Sequence, residues 1–234
     1  MKLALLGYGA MGQLVTAQAR AAGDEIGVAL TSKDAARSIE EMATLLRGHD
    51  VAIDFSVGTA VVTHVEACVR AGVPLVQGTT GWKDHEDDAR RLVAEHDGVM
   101  VFGANFSIGV NVFYRIVERA AKLFSALDQY QAFIEEQHHA RKLDAPSGTA
   151  LKLKSLMAEH LKAPVPTAST RAGYIPGTHS VGFDSAADQV MLTHMARSRE
   201  GFAAGALMAA RWIVGRKGVY EFSEVIDEII GSDK

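Results

Sequence analysis

Short apolar runs alternate with longer amphipathic stretches through the first hundred residues. Residues 2–6, 25–30, 51–55, 74–77 and 99–102 are brief and nearly uniformly apolar. They predict strands buried on both faces, as in a parallel sheet. Between them, residues 13–22, 35–46, 59–70 and 83–96 carry helical spacing, and Gly23 and Gly72 close two of these stretches. This strand–helix rhythm predicts an α/β fold with a Rossmann-type doubly wound parallel sheet. Such sheets bind ligands at the carboxyl ends of their strands.

Past Ser107 the rhythm changes. Residues 109–124 predict a long amphipathic helix, 129–138 a strand and 151–161 a helix. The run 163–166 (Ala-Pro-Val-Pro) is a stiff connector, 171–181 a loop leading into a strand, and 189–196 an alternating strand. Strands with one polar face predict a smaller α+β domain over 106–198, with a mixed or antiparallel sheet. Residues 201–215 and 222–230 read as helices. The last of these needs a surface to pack on, so the expected first domain is 1–105 completed by 199–234.

Composition removes several function classes. Hydrophobic residues make up 48% and charged residues 22%, enough to bury a core. A net charge of −4 gives no bulk attraction to nucleic acid or to an anionic membrane. The thirteen-residue apolar run 202–214 includes Arg211 and is too short to span a bilayer, so no membrane partner is expected. Cys68 is the single cysteine, which suits a reducing compartment, and it lies within a helical stretch as a small core residue. The start is too short for a signal peptide before the glycine loop begins, and a cytoplasmic setting is expected.

The loop Gly7-Tyr8-Gly9-Ala10-Met11-Gly12 follows the first strand directly and opens a helix. In a GxGxxG fingerprint the first glycine permits the turn, the second lets backbone approach a pyrophosphate, and the third lets helix and strand pack closely. The acid that often ends the second strand is missing. Thr31-Ser32-Lys33-Asp34 stands there instead. Ser32 and Lys33 suit a 2′-phosphate, which points to NADPH, alone or alongside NADH. Two other readings stay open: Lys33 as a solvated loop charge, and Asp34 as the diol acid if the loop turns. Phe55, Gly78-Thr79-Thr80 and Gly103-Ala104-Asn105-Phe106 end three further strands and are expected to line the nicotinamide side.

The densest chemistry lies between Glu135 and Ala150. His138, His139 and Lys142 precede Ser147-Gly148-Thr149, which opens a helix. Histidine and lysine carry protons, and an uncovered helix N-terminus attracts carboxylate. Adjacent histidines in a strand point to opposite faces, so both reach one pocket only where the strand breaks. Ser147 also reads simply as an N-cap. Arg171 and His179 are further candidates, each equally open to a structural or surface role. No third and fourth ligand accompanies the histidine pair at metal-site spacing, and no metal is expected.

With these motifs in place, the chain resembles the dihydrodipicolinate reductase family nearly end to end. The resemblance rests on Gly7 to Gly12, Gly78-Thr79-Thr80-Gly81, Gly103-Ala104-Asn105-Phe106-Ser107 and, above all, Glu136 to Thr149, with Gly173, Ile175, Gly177 and His179 adding to it. It implies NADH- or NADPH-dependent reduction of a cyclic dicarboxylate, 4-hydroxy-tetrahydrodipicolinate, to tetrahydrodipicolinate in lysine and diaminopimelate biosynthesis. It implies His138 as proton donor or acceptor and Lys142 as general acid. His139, Ser147, Gly148 and Thr149 would bind substrate carboxylate. It also implies that 106–198 binds substrate and assembles a homotetramer, and that the two domains close over substrate. The trimmed loops of this chain put loop-made oligomer contacts in question. Two rival readings are a related-fold dehydrogenase of another small acid, such as an aspartate dehydrogenase, and a non-catalytic NAD(P)-sensing module. The second would leave the His-His-x-x-Lys segment free to drift.

Overall fold

The computed structural model describes residues 1–231, so the last three residues of the segment expected to complete the first domain lie outside the described residues. In chain order the elements are β1 (Lys2–Leu6), α1 (Ala10–Ala21), β2 (Glu25–Leu30), α2 (Ile39–Leu46), β3 (Val51–Asp54), α3 (Val61–Ala71), β4 (Leu75–Gln77), α4 (Glu86–Glu95), β5 (Val99–Phe102), α5 (Ile108–Phe124), β6 (Gln131–His138), α6 (Gly148–Ala158), β7 (Thr167–Arg171), β8 (Thr178–Asp184), β9 (Gln189–Met195), α7 (Glu200–Trp212), β10 (Gly218–Glu221) and α8 (Phe222–Gly231). The chain divides into two compact units. One is Met1–Ile108 with the segment from Arg199 onward; the other is Gly109–Ser198.

The first unit holds a six-stranded sheet in the order β10-β5-β4-β3-β1-β2, with every pairing parallel. β3, β4 and β5 are buried along their whole length. Ala4, Leu6, Ala52, Leu75 and Met100 meet Val65, Cys68 and Val93 in one apolar core. α7 contacts α1, β3 and β4 and buries Ala203, Gly205, Ala206, Ala209 and Ala210. Small residues are needed there: a methyl on Gly205 would run into the Phe106 carbonyl.

Two local expectations change. Helix was expected from residue 35, yet α2 begins at Ile39. Thr31 and Asp34 close their own capping box around a short 3-10 turn, and Ser38 with Glu41 forms a second one that restarts the helix. β10 has no strong apolar signature, and only pairing with the open edge of β5 makes it a strand.

The second unit is a four-stranded mixed sheet, β7-β6-β8-β9, in which β6 runs parallel to β7 and antiparallel to β8. Residues 171–181 were expected as loop into strand, but Arg171 ends β7, a polar and exposed edge strand that carries no apolar periodicity. Phe113, Val117, Ile134, Leu153, Met157, Val181 and Phe183 form the core between sheet and helices. No helix among the described residues is long and apolar enough to cross a membrane.

Candidate active site

In the first unit, Gly7 sits at φ +92°, and a Cβ there would lie 2.5 Å from the Phe55 carbonyl oxygen. A Cβ on Gly12 would strike the Gly7 carbonyl, whereas one on Gly9 would meet nothing within 4 Å. Gly7 and Gly12 are therefore glycines for packing, and Gly9 is the one that leaves room for a ligand. No side chain caps α1 at Gly9. An open approach and an uncapped helix N-terminus fit the pyrophosphate of a dinucleotide. Tyr8 is exposed beside this turn, and Ala10 and Met11 begin the helix.

The other proposed cofactor residues divide into two groups. Ser32 and Lys33 are exposed past β2. Asp34 is committed elsewhere: its carboxylate accepts from the Thr31 amide at 2.9 Å and from Arg37 Nε at 2.8 Å. The expectation that Asp34 could turn outward as a diol acid is thus not how this loop folds. Phe106 is buried, its ring between Phe55 (centroids 6.2 Å) and Phe222 (4.6 Å), so only its backbone is left for a ligand. Gly78 lets the Phe55 ring lie against the β4 turn. Thr80 is exposed, Gly103 and Asn105 are half-buried, and Ala104 is exposed.

Thr79 is tied into a buried network that the sequence reading missed. Asp54 ends β3 with no exposed surface. Its Oδ1 accepts from the Ser56 amide (2.8 Å) and the Thr79 hydroxyl (3.0 Å), and its Oδ2 from Gln77 Nε2 (2.9 Å) and His64 Nδ1 (2.8 Å). One carboxylate thereby fastens the ends of β3 and β4 to each other.

In the second unit, alternation along β6 places Ile134, Glu136 and His138 on one buried face. Register then supplies their neighbours: Ser169 lies opposite Glu136 on β7, Arg171 opposite His138, and His179 on β8 opposite Glu136. His138 Nδ1 and the Glu136 carboxylate are in direct hydrogen-bond contact. Arg171 reaches Glu136 with both terminal nitrogens (3.0 and 2.7 Å) and also donates to the Asp144 carbonyl (2.5 Å). The Ser147 amide donates to Glu136 as well, at 3.3 Å.

β6 ends at His138, so His139 is the first residue of the following loop; its Nδ1 is shielded and finds no hydrogen-bond partner among the described residues. Lys142 Nζ pairs with Asp144 at 2.8 Å. Ser147 caps α6, its Oγ accepting from the Ala150 amide at 3.2 Å and lying 3.0 Å from His179 Nε2. A side chain on Gly148 would meet nothing within 4 Å, so the mouth of this N-terminus is open. Thr149 Oγ1 is hydrogen-bonded to Tyr114.

Electrostatics follow from this packing. Burial disfavours charge on Glu136, but hydrogen bonds from Arg171, Ser169 and His138 outweigh it and hold the carboxyl at about 2. Burial pushes His138 below its ordinary value; Glu136 opposes this, while Lys142 and Arg171 add to it. Burial and then the neighbouring His138 bring His179 down to about 4, so at neutral pH its imidazole is neutral and Nε2 can accept from the Ser147 hydroxyl. Donor atoms of Glu136, His138 and His179 lie within 4.8 Å of one another, a grouping that sequence spacing did not reveal. Arg171 already donates to both Glu136 oxygens in this cluster.

A dinucleotide loop on a parallel sheet, joined in one chain to a unit that presents imidazole and ammonium beside an open helix N-terminus, defines a nicotinamide-dependent oxidoreductase acting on a small anion. The family models narrow that class. The model for dihydrodipicolinate reductase, N-terminus, matches residues 1–106, and that for its C-terminus matches 109–226. The chain belongs to the dihydrodipicolinate reductase family. It is 35% identical to the 4-hydroxy-tetrahydrodipicolinate reductase of Christiangramia forsetii, over 98% of this chain and 99% of that one. It is 38% identical to the enzyme of the same name from Anaeromyxobacter dehalogenans, over 88% and 80%. The dipicolinate-bound dihydrodipicolinate reductase from Paenisporosarcina shares the fold, with a TM-score of 0.81 and 21% identity over 96% of this chain and 99% of that one.

Proposed function

We propose that the chain reduces 4-hydroxy-tetrahydrodipicolinate to tetrahydrodipicolinate with NADPH or NADH, in the cytoplasm, as a homo-oligomer. One observation carries the reading: within the second unit, residues 136–149 hold a buried imidazole and the N-terminal end of α6 on the Glu136 carboxylate, with the Lys142 ammonium paired to Asp144 in the loop between them. A binding-only module needs none of this. The dinucleotide, when bound, supplies hydride to the ring. A ring carboxylate lies at the Gly148 and Thr149 amides and the N-terminal end of α6, with His139 and Ser147 beside it. Lys142 Nζ protonates the departing 4-hydroxyl, which leaves as water while the adjacent ring carbon gives up a proton and a ring double bond forms for the hydride to reduce. His138 Nε2 supplies the proton that accompanies hydride to the ring. Ser32 and Lys33, with Asp34 tied back onto its own turn, favour NADPH.

The test is initial-rate kinetics on the freshly formed condensation product of pyruvate and aspartate semialdehyde, with each dinucleotide in turn. Turnover with a lower KM for NADPH is expected. No oxidation of either dinucleotide would end the proposal.

A further inference from the structure

Glu136 carries an acidic side chain on the buried face of β6, two residues from the histidine proposed to move a proton, and touches no substrate in the reading above. Besides Ser169 on β7, its partners are residues of the site. His138 Nδ1, both terminal nitrogens of Arg171 and the Ser147 amide converge on its two oxygens. The other ring nitrogen of His138 points elsewhere: a Cβ on Gly177 would lie 3.2 Å from Nε2, and Gly177, at φ +130°, keeps that side clear.

We propose that Glu136, braced by Arg171, is the positioning residue for His138: it accepts the Nδ1 hydrogen, fixes the ring plane, and leaves Nε2 as the atom that exchanges protons. The proposal rests on His138 being the proton carrier. A histidine has two nitrogens, and the partner of one decides the role of the other. A carboxylate can only accept, so the neutral ring must keep its hydrogen on Nδ1 and turn a lone pair outward on Nε2. Arg171 does two jobs. Its fork fills the remaining lone pairs of Glu136 and keeps that group ionised. Its charge also opposes protonation of the imidazole. The charged and titratable groups facing His138 are Glu136 on its own strand, Arg171 on β7, His179 on β8 with ring centroids 5.1 Å away, and Lys142 in the following loop. Glu136 favours the imidazolium; Arg171 and Lys142 disfavour it.

These opposed signs give a test that a merely structural pair would not pass. In Glu136→Gln the amide oxygen can keep Arg171 and Ser147, which turns the NH2 toward Nδ1 and inverts the tautomer. kcat should fall about tenfold to a hundredfold, as for loss of a partner that orients a working histidine. KM for the dinucleotide should stay unchanged, and the alkaline fall of kcat should move to lower pH. In Arg171→Met the same fall should move to higher pH. The third measurement is nitrogen NMR of the imidazoles in the full-length wild-type chain, which should show neutral His138 protonated at Nδ1. Both variants losing thermal stability with an unshifted pH profile would overturn the proposal. So would a wild-type ring protonated at Nε2, whether or not either variant folds. If His138→Ala leaves the pH profile intact, the proton-carrier reading fails separately, and the tautomer still decides whether Glu136 positions the ring.

Discussion

Replacing Asp54 with alanine should cost about 3–5 kcal/mol of folding stability, the range for breaking a buried, hydrogen-bonded ionic group. The contacts give the same scale. Four donors would lose their acceptor: Ser56 N, Thr79 Oγ1, Gln77 Nε2 and His64 Nδ1. Gln77 and Thr79 are themselves buried, and an unsatisfied buried donor costs about 1–3 kcal/mol. Ser56 and His64 are partly exposed and can turn to water. Asp54→Asn keeps the shape and one accepting oxygen but sets an NH2 against Gln77 and His64. It should cost less, about 1–3 kcal/mol. Burial opposes ionisation of Asp54, yet the donors, His64 foremost, hold its carboxyl below the ordinary 3.8. A depressed value means the contribution is fully present above that ordinary value and is lost as pH falls through the folded one. The assay is urea unfolding of wild type and both variants at pH 7 and again below pH 4. The gap between wild type and Asp54→Asn should narrow in acid. A loss under about 0.5 kcal/mol at pH 7 for the alanine variant, within the range of an ordinary surface change, would refute the account of Asp54 as a clamp.

Other expectations follow from the same geometry. His138→Ala should lower kcat by about a hundredfold to ten-thousandfold while leaving KM for the dinucleotide unchanged, read from initial rates. Gly9→Ala should fold as well as wild type, since nothing blocks a methyl there, yet weaken dinucleotide binding about tenfold (about 1.4 kcal/mol) in a fluorescence titration. Gly12→Ala should instead lower the melting temperature, because its methyl meets the Gly7 carbonyl. Lys33→Ala should raise KM for NADPH about tenfold through loss of a phosphate contact of about 1.4 kcal/mol, and leave KM for NADH alone; equal effects on both would remove the 2′-phosphate role.

Periodicity made the parallel sheet legible because strands buried on both faces leave a nearly continuous apolar run, as β5 does throughout and β3 does up to Asp54. The same rule hid β7 and β10. A polar edge strand has no such run, and its identity comes from the neighbour it pairs with. Within the site, His138, Lys142 and Ser147-Gly148-Thr149 are contiguous and could be read together. Glu136, Arg171 and His179 meet through the register of β6 with β7 and β8, which no local pattern encodes. Glu136 had one available signal: counting by two from Ile134 places it on the inward face, where an unpaired carboxylate could not stay. Asp54 offered a similar hint, an acid closing an otherwise apolar strand, but its partners lie up to 25 residues away.

The order in which the chain is made has a consequence for the first unit. β10 is the outermost strand beside β5, and α7 covers β3 and β4, yet both are synthesised after the whole second unit. As the chain emerges, Gly109–Ser198 is complete before the larger sheet has its last strand. Until residue 221 has been made, β5 presents an unpaired edge, the kind of surface that recruits other strands. A chain truncated at residue 200 should therefore keep the unpaired β5 edge and aggregate more readily than the full-length chain.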